Sequence, residues 1–239
     1  MASVYSHSLL KELCSVVSST QYAAMVSSYA DLRRRKKLEV DKKYVHDRSF
    51  CRVSKSIKDD SFCVINNKDV VNDAFLYYLN LVIDSFLGRV FLGGTPGVYH
   101  TEGPVYLKSL REIPISLPGD DIIKAGADLK KNVIIILSVI EEDKSRFNEH
   151  YVEAIKSVLN EICDDFVMEL YSKPFFESSD VHIIESWQDI LNNCSFSKNS
   201  NGAVELLNAL TASDSALMTN VRRFRALLSN LSSVINSSK

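Results

Sequence analysis

Apolar positions recur most regularly between residues 69 and 118. Phe75, Leu76, Leu79, Val82, Ile83, Phe86 and Leu87 fall at i, i+3, i+4 and i+7, the spacing of one buried helical face. Asn72 or Asp73 stands where a side-chain oxygen caps a helix start. Gly88 stands where a helix can end, with Arg89 near the negative end of the helix dipole. The glycine-rich loop of residues 93–97 follows, and glycines there allow backbone angles closed to other residues and close approach to a ligand. Residues 109–112 read as a first helical turn that Pro114 stops. Ile113, Ile115 and Leu117 alternate with Pro114, Ser116 and Pro118, which predicts a short edge strand.

Before this stretch, residues 9–35 carry a looser helical spacing. They read as one long helix, or as two with a break at Ser18, Ser19 and Thr20, residues that weaken a helix interior. Residues 45–64 hold short alternating pieces around Phe50, Arg52-Val53, Phe62 and Val64. These predict strands, with a tight hairpin turn at Lys58-Asp59-Asp60. A small twisted sheet covered by the central helix gives an α+β fold. Beyond Pro118, Gly119-Asp120-Asp121 reads as a boundary, with either aspartate able to cap the next helix. The chain then divides into residues 1–119, an α+β domain, and residues 120–239, a helical C-terminal domain.

In the second part, residues 122–138 are mostly apolar and interrupted by Gly126. The β-branched run of residues 133–137 suits a strand, but its flanks favour a buried helix. Residues 146–171 predict an amphipathic helix ended by Pro174. Further helices are predicted over 182–193, 203–210 and 217–235, with a Ser/Asn-rich loop over 194–202. No repeat of fixed period is present.

At 239 residues, 46% of them hydrophobic, the chain has enough apolar material for a sizeable core in one large or two small domains. Its five cysteines, at 14, 51, 63, 163 and 194, show neither metal-ligand nor disulfide spacing, which fits reduced thiols in a cytoplasm. The first residues lack the basic-then-apolar pattern of a secretory signal. The most apolar run, residues 132–140, is too short to span a bilayer. The expected setting is cytoplasmic, without a membrane partner.

The net charge of −2 is unevenly spread. Residues 1–58 hold 12 Lys/Arg against 5 Asp/Glu, residues 59–119 hold 4 against 7, and residues 120–239 hold 12 against 18. A polyanion would therefore meet the N-terminal part and be repelled by the C-terminal part. The run Arg33, Arg34, Arg35, Lys36, Lys37 has two readings. One is a solvated helix end whose cations favour the dipole. The other is phosphate contact, with Lys42, Lys43, Arg48, Arg52, Lys55 and Lys58 extending the basic surface. Tyr29, Tyr44 and Phe50 lie among these charges and either stack on an extruded base or pack in the core.

Two stretches carry a family resemblance. Leu79, Asn80, Ser85, Gly93, Gly94, Thr95, Leu107, Leu110, Ile113, Pro114, Ile115, Leu117 and Pro118 form an order similar to "LN…S…GGT…L..L..IPI.LP". That order resembles the second half of a target recognition domain. Such domains occur in type I restriction specificity subunits and at the C-terminus of many N6-adenine DNA methyltransferases. Here Leu81 to Asp84 are inserted between "LN" and "S", and PGVYHTEGPVY follows the loop. Asp165, Val167, Glu169, Leu170, Tyr171 and Phe176 are similar to a "D..VYELYFPE.F" segment that follows the recognition domain in some large methyltransferases, with Lys173-Pro174 in place of the usual Pro-Glu. The two stretches cover roughly a third of the chain, in the family's order.

The resemblance implies sequence-specific binding of double-stranded DNA, with a catalytic methyltransferase or restriction domain or subunit as the second partner. The site residues it and the charge pattern suggest are Arg33, Arg34, Arg35, Lys36, Lys37, Lys42, Lys43, Arg48 and Arg52 for phosphates, with Gly93, Gly94, Thr95, Tyr99, His100, Lys108 and Arg111 toward bases. No catalytic residue, metal or cofactor is expected. The chain has no Pro-Pro pair, so the catalytic loop that grips a flipped adenine is missing. The GGTPG loop neither opens a Rossmann helix nor ends in a P-loop Lys-Ser/Thr. Asp164-Asp165 with Glu169, and Glu141-Glu142-Asp143, read as solvated helix faces rather than metal clusters. His7, His46, His100, His150 and His182 are scattered, and His46 with Cys51 or Cys63 makes no zinc set. Cys163 reads as a buried thiol. The rival expectation is a protein-interaction or scaffold module that keeps the fold and does not bind DNA.

Overall fold

Strand pairing sets the path of the first part of the chain. The structure is a computed structural model that describes residues 5–42, 50–66, 73–93, 105–142, 148–193 and 200–237. Tyr5–Lys130 form one compact unit and Lys131–Lys239 belong to another. The architecture is mixed α+β, a small sheet with helices.

Residues 9–35 are not the helix their spacing suggests. They run through β1 (Ser6–Leu9), a single turn α1 (Leu10–Leu13), β2 (Cys14–Ser18), α2 (Ser19–Ser28) and a 3-10 turn (Ala30–Arg33). In β2, Cys14 and Val16 are buried on one face, and β-branched Val16 and Val17 suit a pleated strand. The deciding contact is distant. β2 pairs antiparallel with β5 (Ser61–Asn66), Val16 opposite Val64. The serines that weaken a helix interior instead start one. Ser18 Oγ accepts from the Gln21 amide at 3.2 Å, and Gln21 Oε1 accepts from the Ser18 amide at 3.0 Å, a reciprocal capping box.

β3 (Lys37–Asp41) sits inside the sheet, whose order is β2-β5-β3-β4 with β4 at Cys51–Ser54, every neighbour antiparallel. Lys58-Asp59-Asp60 is therefore not a hairpin turn. It belongs to the connection between β4 and β5, two strands that β3 separates. Val16, Val64, Leu38, Val40 and Cys51 share one face, and α3 (Asp73–Asp84) packs there against β3 and β4. The opposite face carries Val17, Cys63, Lys37 and Glu39, with Tyr22 of α2 bonded to Lys37.

The central helix is broken rather than ended by glycine. α3 stops at Asp84, and α4 (Phe86–Leu92) leaves at a 74° bend. Ser85 is extended (ψ 162°). Its Oγ accepts from the Gly88 amide at 3.1 Å and donates to Val82 O at 2.7 Å, so one hydroxyl both caps α4 and finishes α3. Gly88 lies inside α4. No single helix among the described residues is long and apolar enough to cross a membrane; α3 and α4 reach that hydropathy only together and across the bend, and most of α3 is buried.

α5 (Leu107–Arg111) precedes β6 (Pro114–Leu117). The expected short strand is present, and its partner is β1, with Ile115 opposite Ser8. α6 (Asp120–Glu142) follows, and the β-branched run within it is helical, as its flanks indicate. Asp120 and Asp121 lie in its first turn, favourable for the dipole.

The second unit is helical: α7 (Glu149–Tyr171), α8 (Lys173–Ser178), α9 (Ile183–Asn193), α10 (Ser200–Thr211) and α11 (Ala216–Ser237). Asn148 Oδ1 caps α7 by accepting from the Tyr151 amide at 2.8 Å. α7 ends at Tyr171, before Pro174, which sits in the first turn of α8, where a missing amide costs nothing. Trp187, Phe166, Phe176 and Phe224 are buried, with the last two rings 4.5 Å apart. Asp164, Asp165 and Glu169 do not form a solvated face. All three are buried, because α7 packs against α8, α9 and α11 and its polar positions are used inside. Glu169 Oε2 accepts from the Ile183 and Ile184 amides at 2.7 and 2.9 Å, capping α9 from another helix. Glu169→Ala is expected to cost about 2 kcal/mol, from a lost cap and two stranded amides, read from urea unfolding.

Candidate functional site

Lys43, Arg48, Gly94, Thr95, Tyr99 and His100 lie outside the described residues, as does Tyr44. The described chain does fix where the segments that hold them start or finish. Asp41 N donates to Phe50 O at 2.8 Å, closing the β3–β4 hairpin around residues 43–49. Val105 N donates to Lys42 O at 3.0 Å, so the segment 94–104 finishes against the residue where the hairpin loop begins. Val105 and Phe50 are both buried, and these anchors sit at the end of β3.

The cationic run lies at the other end of β3. Arg33 and Arg34 are exposed and Arg35 is half-buried. Lys36 Nζ donates to Asp73 Oδ2 at 2.7 Å, and that bond raises the Lys36 pKa above its ordinary value. Lys37 is only 1% exposed. Its ammonium bonds the Tyr22 hydroxyl and lies 4.4 Å from the centre of the Tyr22 ring. Lys42 sits over the Phe62 ring at 5.2 Å. Arg52 pairs with the buried carboxylate of Glu39. Burial alone would raise the Glu39 pKa, but Arg52, the Lys58 amide at 3.0 Å and Ser61 Oγ at 2.8 Å together hold it below its ordinary value.

Gly93 is the C-cap of α4 in ordinary right-handed geometry, its amide donating to Arg89 O at 3.0 Å. Lys108 is exposed on α5. Arg111 is committed within the fold, with Nε at 3.1 Å and a terminal nitrogen at 2.8 Å from Val16 O. Phe50 packs in the core and Tyr29 is 67% exposed. Sequence reasoning passed over Tyr106, which directly follows Val105 and is 61% exposed. Its signal was available, in the segment PGVYHTEGPVY that departs from the family pattern.

Beneath these anchors lies a buried polar cluster. Asn80 Nδ2 donates to Cys51 O at 3.4 Å, and Lys130 Nζ donates to Asp84 Oδ2 at 2.7 Å. Burial pushes the Asp84 pKa up while Lys130 pulls it down. Burial and the Asp84 charge push the Cys51 thiol well up, and burial pushes Cys63 up to about 12. Cys14, Cys51, Cys63 and Cys163 are free and buried, poor settings for a thiolate nucleophile. Among the described residues no group of three His, Cys, Asp or Glu is placed to hold a metal.

No family model, curated protein or solved structure matches this chain.

Proposed function

We propose that this chain is a DNA-recognition module without catalytic residues of its own. It would be the kind of domain that restriction-modification methyltransferases use to find their target. The observation that carries this reading is the hydrogen bond from Val105 N to Lys42 O. It joins one end of the stretch that carries Gly94, Thr95, Tyr99 and His100 to one end of the stretch that carries Lys43 and Arg48. Two loops sharing an anchor can act on one ligand: cations take phosphates, which position, and the glycine loop's side chains take base edges, which specify. Arg33 and Arg34 precede β3, at the end of that strand away from these two segments. Five residues of β3 span roughly 14 Å, about four base-pair steps of duplex, so one short DNA segment reaches both ends.

Exposed Arg33, Arg34 and Lys108 and half-buried Lys42 supply phosphate contacts in this reading, while Arg111 is bonded within the fold. The helices of the second unit dock a catalytic partner. Ile134, Ile135 and Tyr151, 38%, 36% and 47% exposed, favour such docking. They equally favour the second reading, a protein-interaction module that does not bind DNA.

Duplex binding at about 50 and 200 mM salt separates the two. The DNA reading expects binding at low salt that weakens by at least tenfold at high salt. It also expects Arg33→Glu with Arg34→Glu to lower the low-salt affinity. The absence of any duplex binding at low salt would leave only the interaction module.

A further inference from the structure

Between α2 and the β4–β5 connection lies an open groove of about 450 Å³. Arg33 and Lys55 line it. Both are exposed, and among the described residues neither side chain forms an ion pair or hydrogen bond. Val26 and Ile57 give it an apolar floor, and Asp59 is its one lining carboxylate. Tyr22 forms a wall, and behind that wall is Lys37.

Lys37 makes this groove unusual. Its ammonium is buried, yet its hydrogen-bond acceptors are neutral: the Tyr22 hydroxyl, and Leu32 O at 3.3 Å. Buried charges are ordinarily paired with an opposite charge. Glu39 lies two residues along on the same face of β3, but Arg52 holds its carboxylate. The field of an unpaired ammonium is weakly screened inside a protein, and here it acts through Tyr22 on whatever occupies the groove. Two cationic groups thus line a cleft with one carboxylate and an apolar floor, and a third lies buried behind its Tyr22 wall.

We infer that this groove seats a phosphate ester, with the phosphate between Arg33 and Lys55 and the organic part on Val26 and Ile57. The guanidinium fork suits phosphate oxygens, and the Lys37 charge is completed when the anion arrives. Resting on the DNA reading, the ester is a backbone phosphodiester of the duplex. The groove then fixes the register of the protein on DNA while the two loops read sequence.

The test uses the full chain, a labelled duplex and thymidine monophosphate. Arg33→Glu with Lys55→Glu changes exposed side chains only and is checked by an unchanged melting temperature. It is expected to weaken duplex binding more than tenfold at low salt and to flatten the slope of log affinity against log salt by about one. Lys37→Met keeps the stem and removes the charge. It is expected to weaken binding about fivefold with the melting temperature unchanged or raised. Duplex binding with an unaltered slope in the double variant overturns the groove and leaves the DNA reading standing. If wild-type chain binds thymidine monophosphate but no duplex, and the double variant loses it, the groove holds a small ester and the DNA reading falls. Binding of neither ligand removes both.

Discussion

Gly88→Ala is expected to cost about 3 kcal/mol or more, the larger end of overpacking penalties. A Cβ at Gly88 would lie 2.2 Å from Val82 O and 2.5 Å from Ile83 O. Both atoms are main chain of the last turn of α3, so no side-chain rotamer relieves the clash. Room could come only from opening the 74° bend, and that would break the Ser85 bonds to Gly88 N and Val82 O. The bend sets the direction of α4, and Gly93 at the end of α4 leads into the glycine loop. Thermal unfolding is expected to shift down by roughly 10 °C. Ser85→Ala removes the cap but adds no clash and is expected to cost about 1 kcal/mol. A Gly88→Ala protein as stable as wild type would mean that the two helices do not approach so closely.

Arg225→Met is expected to cost about 3 kcal/mol at pH 8 and much less at pH 5. Arg225 reaches Asp165 Oδ1 at 2.6 Å, and the Asp165 side chain is only 1% exposed. Burial pushes the Asp165 carboxyl from its ordinary 3.8 up to about 7, against the pull of Arg225 and with a further push from Asp164 and Glu161. Removing the arginine strands a buried carboxylate, a loss of the order seen when buried pairs are broken; once protonated, the carboxyl needs no counter-charge.

The same group gives the wild type a pH dependence. Its folded pKa lies above its unfolded one, so the folded state binds the proton more tightly. Its contribution to stability is complete below about pH 4 and is lost as pH rises to about 7. The helical unit is therefore expected to melt higher at pH 5 than at pH 8, and Asp165→Asn should remove most of that difference. Trp187, the chain's one tryptophan, is buried in this unit, so urea unfolding followed by its fluorescence reads both effects. An equal Arg225→Met penalty at the two pH values would sink the account.

Helices whose stability comes from their own apolar face were legible from sequence. The patterns at 182–193, 203–210 and 217–235 become α9, α10 and α11 nearly in place, and residues 133–137 follow their helical flanks. Where a partner far along the chain decides, local pattern misled. Residues 14–18 fall within a stretch of helical spacing, and only β5, more than forty residues away, makes them a strand. The expected hairpin at Lys58–Asp60 failed for the same reason, since β3 inserts between β4 and β5. Asp165 and Glu169 look like surface acids until Arg225 and the start of α9 are brought to them.

The candidate site was legible in its charge but not in its allocation. Nothing in the run from Arg33 to Lys37 separates the exposed Arg33 from the buried Lys37. Their difference arises because β3 begins at Lys37 and turns that side chain toward Tyr22. The resemblance residues have structural tasks as well: Asn80 bonds β4, Ser85 caps α4, and Leu110, Ile113 and Ile115 are core.

Among the described residues the four-stranded sheet has two rims without a strand partner, and a helix side chain touches each. Arg111 of α5 occupies the Val16 carbonyl on β2, and Asn80 of α3 reaches the Cys51 carbonyl on β4. Exposed rims are templates for strand addition by other copies. These two polar contacts occupy carbonyls that an added strand would otherwise use for pairing.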